Sequence, residues 1–215
     1  MRVRWLGHSC IEILGDKHIV IDPDFLRDPL AGVDYVLVTH GHDDHIGKVA
    51  LIPTGKVLAS QEVCEIARRE GVSPDRLVEV APGDMVDNVQ VLEGYSHVGK
   101  LSDLWARVWG RRRRLPGGKP LSFLVHNDLS LLHIGDAFEF PLECKADILC
   151  LPYRRVPLRQ EYYQRRLVEL AAALNARYII PVHFDMSPWE ADPAELQDRL
   201  SAKLIVATEF VELKG

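Results

Sequence analysis

The stretch Val36-Leu37-Val38-Thr39-His40-Gly41-His42-Asp43-Asp44-His45 decides how the rest of the chain reads. Its first four residues are apolar or β-branched, the pattern of a buried strand. Gly41 then sits between two histidines in a tight turn. From His40 to His45 the turn carries three imidazoles and two carboxylates. Such groups are costly to bury unless they are paired or bound to a metal. Neutral imidazole is the commonest metal ligand, so this turn reads as a metal site at the carboxyl end of a strand.

Spacing refines that reading. His40 and His42, two apart in an extended turn, can converge on one ion. Asp44 and His45 begin a helical turn and point toward a second. A His-x-His at a strand end also occurs in amidohydrolase barrels. That fold needs eight βα units and about 250 residues, and it has no use for the Asp-His that follows.

The 215 residues suit one large domain or two small ones, and 47% are hydrophobic, enough for a substantial core; a single domain over residues 1–215 is expected. A formal charge of −5 does not favour nucleic acid as partner. Cys10, Cys64, Cys144 and Cys150 form no Cys-x-x-Cys pair and read as small core residues. With no signal peptide at the start, a reduced, cytoplasmic protein is expected. No apolar run approaches the roughly 18 residues of a membrane span.

Strands are expected at 3–6, 10–14, 17–21, 35–39, 56–59, 77–80, 85–86 and 89–92, with 94–97 closing that series. An outer strand is expected at 104–109, and residues 111–120 read as a loop or hairpin tip. Further strands fall at 122–126 and 130–134, joined by the hairpin turn Asn127-Asp128, and at 148–151, 178–182 and 204–213. Helices are expected from a Ser60 cap to about Glu70, ended by Gly71, at 160–174, and from Asp192-Pro193 to about Ala202. Two β-rich halves flanked by helices predict two packed sheets with helices outside.

The His-x-His-x-Asp-His pattern of His40, His42, Asp44 and His45 resembles the signature of the metallo-β-lactamase superfamily of hydrolases. The resemblance covers nearly the whole chain and implies a four-layer αβ/βα sandwich. His97, Asp136 and His183 each follow a predicted strand. Alone, each reads equally as a core histidine or a turn aspartate. Their order and spacing match the superfamily, and the resemblance assigns His40, His42 and His97 to one ion. It assigns Asp44, His45 and His183 to a second, with Asp136 bridging. Such a set suits two divalent ions, zinc foremost, with manganese or iron as alternatives.

A closer resemblance is to small metal-dependent hydrolases that include the ascorbate-6-phosphate lactonase. It rests on Trp5-Leu6-Gly7-His8-Ser9, Asp22-Pro23 and His133-Ile134-Gly135-Asp136. His8 either meets substrate as a proton-transfer residue or bonds to backbone. Asp22 is expected to order the loop or a ligating histidine, and His133 to be a buried structural partner. His18 and His126 receive no role. The chain departs from that subgroup at Leu151-Pro152-Tyr153-Arg154-Arg155. Arg154 and Arg155 either bind an anionic substrate group bidentately or form a solvated turn. Arg111–Arg114 is either a solvated tip or a contact for an anionic partner.

The expected activity is hydrolysis of a small ester, lactone or phosphodiester by a metal-bridging hydroxide, with Asp44 and His8 as catalytic residues. The expected partner is a small-molecule substrate, with no membrane and with a homo-oligomer left open. A nuclease and a non-catalytic metal-binding protein are the alternatives. A flavoprotein partner is disfavoured, because di-iron members of the superfamily usually carry a carboxylate where His42 stands.

Overall fold

The structure is a computed structural model that describes residues 1–95, 117–137, 140 and 144–214. His97, the strand expected at 104–109 and Arg111–Arg114 lie outside the described residues.

Among the described residues, two seven-stranded sheets stack face to face. The first contains β1 (Arg2–Gly7), β2 (Cys10–Leu14), β3 (His18–Ile21), β4 (Tyr35–Leu37), β5 (Lys56–Ala59) and β6 (Leu77–Glu79), with β14 (Val211–Glu212) beside β1. The second runs from β7 (Met85–Val86) through β8 (Val89–Glu93), β9 (Leu121–His126), β10 (Ser130–His133), β11 (Ile148–Pro152) and β12 (Tyr178–Val182) to β13 (Lys203–Leu204).

Alternation builds three apolar layers, since successive strand side chains face opposite sides. Ile19 and Ile21 of β3, Leu58 of β5, Phe123 and Val125 of β9, and Ile148 and Cys150 of β11 meet between the sheets. The residues between them, Val20, Val57 and Ala59, face α2 (Gln61–Arg69), where Val63, Cys64, Ile66 and Ala67 cover the first sheet. Leu149 and Leu151 face α3 (Gln160–Ala173), which covers the second with Leu167, Leu170 and Ala171. Burial on both faces explains why these strands read as continuous apolar runs. The arrangement is the expected αβ/βα sandwich.

Three expectations need correction. Ser60 stands at the N-cap of α2, but its hydroxyl makes no capping hydrogen bond. The last helix is a 3-10 turn over Pro193–Arg199, although the Asp192 side chain accepts from Ala194 N as a cap should. The single strand expected over 204–213 is two short strands in different sheets. Ile205 N still donates to Ile179 O at the edge of the second sheet, whereas Trp5 N donates to Ala207 O and Leu213 N to Met1 O at the edge of the first. Both sheets present an edge there with unmet backbone groups, so the chain satisfies one and then the other.

β3 to β6 run parallel, as do β10 to β13. Their carboxyl ends therefore collect at one rim of the sandwich, and every candidate site residue among those described follows such an end or that of β1. No described helix is long and apolar enough to cross a membrane.

Candidate metal centre

The His40–His45 turn leaves β4 and enters α1 (Asp43–Ile46), a single turn that begins one residue before Asp44. His40 and His45 are buried and their rings lie 3.8 Å apart. His42 packs edge-on to His40, with ring centroids 4.6 Å apart. Gly117 crosses above them, and Gly41 N donates to its carbonyl at 2.8 Å. A Cβ at Gly117 would stand 3.1 Å from His42 Nε2 and 3.2 Å from His40 Cδ2. Glycine therefore lets this segment close over both imidazoles, a requirement no local sequence signal revealed.

Two other strand ends complete the cluster. Asp136 follows β10 and directs its two oxygens to different partners. Oδ2 lies 4.0 Å from His40 Nε2, while Oδ1 lies 3.5 Å from His45 Nε2 and 3.1 Å from His183 Nε2. His183 follows β12, and its Nδ1 is 4.0 Å from Asp44 Oδ2, which is 3.9 Å from His45 Nε2. Two donor groups result, His40 with His45 and Asp136, and Asp44 with His45 and His183. The structure thus brings five of the seven expected ligands into these groups, with His42 packed against His40 and His97 outside the described residues.

Orphaned atoms supply the test of whether these residues fit metal ions. His40 Nε2, His45 Nε2, Asp136 Oδ1 and both ring nitrogens of His183 are buried without a sound hydrogen bond. Buried polar atoms are nearly always hydrogen-bonded, so five unpaired ligand-type atoms within one cluster fit the binding of metal cations.

The surrounding shell prepares the donors. Asp22, fully buried at the end of β3, takes Thr39 N on Oδ1 at 2.7 Å and Thr39 Oγ1 on Oδ2 at 2.8 Å. Its Oδ2 also lies 2.7 Å from His45 Nδ1, which turns Nε2 of that ring to the centre. Burial pushes the Asp22 carboxyl up, but the His45 charge and hydrogen bond outweigh it and hold it at about 2. Burial and the neighbouring His45 charge press His40 down to about 3, so its ring is neutral and available as a ligand. Asp136 is held well below the usual carboxylate range: burial opposes ionisation, while Arg154 and His183 favour it. Asp44 is also lowered, against burial, chiefly by His45.

His133 is the structural partner expected. Its Nε2 lies 3.0 Å from Ser9 O and its Nδ1 accepts from Gly135 N at 3.2 Å, so the ring is a neutral Nε2 tautomer. Gly135 has φ +58°, and a Cβ there would stand 3.0 Å from Thr39 Oγ1. His18 and His126 lie away from the centre, beside Glu12 and Gln90.

His8, Asp22 and His183 have positive φ, at 48°, 51° and 65°. Such backbone strain concentrates where a site over-determines its geometry. His8 O accepts from His183 N at 2.8 Å, joining the two halves of the molecule. The His8 ring stands between two carboxylates, with Nδ1 3.2 Å from Asp185 Oδ2 and Nε2 3.9 Å from Asp24 Oδ2. Its hydrogen bond to Asp185, opposed by burial, raises its pKa. Thr39, Asp24 and Asp185 were not singled out in the sequence; only the fold brings them here.

The two arginines part company. Arg154 reaches the centre, with Nη1 3.6 Å from Asp136 Oδ1. Arg155 does not: its Nη2 is bound to Glu195 Oε1. Tyr153 OH donates to Glu195 Oε2 at 2.8 Å, so residues 153 and 155 share one side and 154 takes the other. Of the two, Arg154 lies beside the donor cluster, whereas Arg155 is engaged with Glu195.

The family model described as a β-lactamase superfamily domain matches residues 2–183. A UPF0173 protein of Pyrococcus furiosus is 28% identical over 214 residues, 95% of this chain and 93% of that one. A UPF0173 metal-dependent hydrolase of Nanoarchaeum equitans is 24% identical over 217 residues, 96% and 95% of the two chains. Among solved structures, a metal-dependent hydrolase of the β-lactamase superfamily aligns over the full length of both chains at TM-score 0.64 and 13% identity. A Thermotoga maritima protein of the metallo-β-lactamase superfamily aligns over 88% of this chain and 78% of its own at TM-score 0.54 and 21% identity. At such identities the structural likeness speaks for the fold, and the family match speaks for descent. On that match the chain belongs to the metallo-β-lactamase superfamily.

Proposed function

We propose that this protein is a metal-dependent hydrolase that holds two divalent ions and cleaves a small ester, lactone or phosphodiester by direct attack of water. The observation that carries the reading is Asp136, whose two oxygens face different imidazoles in a buried cluster of unsatisfied donors. His40, His42 and Asp136 would hold one ion, and Asp44, His45, His183 and Asp136 the other. The donor set is imidazole and carboxylate without thiolate, which suits zinc or manganese. Bound ions of this kind supply a water activated at neutral pH and a Lewis acid for the attacked group.

The chain's own residues do the rest. Asp22 and Thr39 orient the histidines that hold the ions. His8, at the end of β1 with its ring between Asp185 and Asp24, would serve as the proton donor that a leaving group needs. Arg154 offers a fixed positive charge beside Asp136, where an anionic substituent of the substrate would sit. Among the described residues no serine or cysteine stands with a base in this cluster, so no covalent intermediate is assigned. The Trp5–Ser9 and Asp22-Pro23 motifs favour a small hydrolase like the ascorbate-6-phosphate lactonase over a nuclease. The described cysteines form no disulfide, which suits a reducing, cytoplasmic setting.

The test is a panel of lactone, phosphodiester and thioester substrates offered to chelator-stripped and reloaded protein. Activity should vanish on stripping and return with Zn²⁺ or Mn²⁺. Turnover that survives chelation refutes the reading.

A further inference from the structure

The donor set is unevenly neutralised. Among the described residues only Asp44 and Asp136 bring formal negative charge directly to the ions, two charges against the four of two divalent cations. A positively charged guanidinium lies against the same set, and it cannot be deprotonated at any ordinary pH.

Its placement is one-sided. Arg154 Nη1 lies 3.6 Å from Asp136 Oδ1, the oxygen that faces His45 and His183. The other oxygen, Oδ2, is the one that faces His40. Arg154 therefore draws on the charge that Asp136 can offer the ion at Asp44, His45 and His183, and repels that ion. It does less to the ion at His40.

The position is built. Main-chain bonds pin the segment on either side: Tyr153 N donates to Val182 O and Arg155 N to Trp189 O, both at 2.8 Å. Gln160 Nε2 donates to Arg154 O at 3.4 Å. Glu195 holds the flanking side chains of Tyr153 and Arg155 on the far side. With its neighbours anchored there, residue 154 is committed to the metal side. A dication and a guanidinium a few ångströms apart in a largely buried setting interact far more strongly than in water.

We infer that Arg154 is a positioning residue that weakens the second ion's hold by sharing Asp136 Oδ1, so the two ions load in separate steps. The inference rests on the two-ion reading above. It makes the enzyme sensitive to metal supply, because the second ion is the exchangeable one.

The experiment is a Zn²⁺ titration of the purified full chain against a chromophoric chelator, with Co²⁺ absorption spectra as a second readout. The proteins are wild type, Arg154→Gln, Arg154→Met, Arg154→Lys and Arg155→Gln. Arg154→Met serves if the glutamine variant folds poorly. Wild type should bind two ions with unequal affinity. Removing the charge should tighten the second ion by about tenfold or more and leave the first nearly unchanged. Arg154→Lys and Arg155→Gln should both resemble wild type. Two ions with an unchanged or weaker second affinity in Arg154→Gln and Arg154→Met overturn the inference and leave the two-ion reading standing. Equal tightening in Arg155→Gln, or in Arg154→Lys, also overturns it. A single ion in every protein overturns both.

Discussion

His45 Nδ1 and Asp22 Oδ2, twenty-three residues apart in the chain, lie 2.7 Å from each other with both side chains fully buried. The contact decides which nitrogen of His45 faces the metal centre. Carboxylates that orient ligating histidines typically contribute 10- to 100-fold in metal affinity. Asp22→Asn should therefore weaken Zn²⁺ binding by about that factor while far-UV circular dichroism stays native. Unchanged affinity would reduce Asp22 to a loop-ordering residue.

The same pair sets a pH dependence in chelator-treated protein. The Asp22 carboxyl is held at about 2, against 3.8 for an ordinary carboxylate. A depressed value means that the stabilisation is present above about pH 4 and is lost as pH falls toward 2. A depression of that size corresponds to roughly 2 kcal/mol. His45 runs the other way. Burial lowers it, but Asp22 and Asp44 raise it well above 6.5, so its share is present below that value and fades as pH rises through the raised one. Denaturant melts from pH 5 to pH 2 should show wild type losing stability and Asp22→Asn losing less. Parallel curves for the two proteins would contradict the assignment.

Asp136 is the ligand with most to lose. Asp136→Ala removes the oxygens aimed at His40, His45 and His183, and turnover should drop to background. The fold should survive, because the layer between the sheets is apolar and independent of the centre. Metal content by elemental analysis should fall below two ions per chain. Hydrolysis by wild type in ¹⁸O-water should place the label in product with no trapped acyl- or phospho-enzyme. A covalent adduct on the chain would sink the direct-attack mechanism.

Arg154 and Arg155 should separate kinetically. A hydrogen bond to a charged group contributes about 1.5–3 kcal/mol. On an anionic substrate, Arg154→Ala should then raise KM by roughly one to two orders of magnitude. Arg155→Ala should leave KM alone, since its guanidinium is engaged with Glu195. Equal effects from both substitutions would place the anion elsewhere.

What could be read from the chain was whatever short-range periodicity controls. The bounds of β5, β12 and nearly all of α3 followed from apolar spacing, because a strand or helix buried on its own period carries that period in its residues. The convergence of His40, His42, Asp44 and His45 was legible for the same reason: one turn carries all four. Asp136 and His183 were legible only as residues after strands. The parallel order of β10, β11 and β12 within the second sheet is what brings them within 3.1 Å of each other.

The rest belonged to tertiary structure. Alternation says that Arg154 and Arg155 face opposite ways, but not which way. That choice was made by Glu195, 40 residues onward, holding Arg155. Residues 204–213 read as one strand, yet two sheet edges divide them, because unmet backbone groups on neighbouring edges recruit whichever segment passes. Gly117, Thr39, Asp24 and Asp185 carry no local signal, since their importance lies in what approaches them. Sequence spacing determined the ligand types and the loop that carries most of them. Tertiary structure decided their partners, their protonation and which arginine reaches the metal centre, because those depend on distances across the fold.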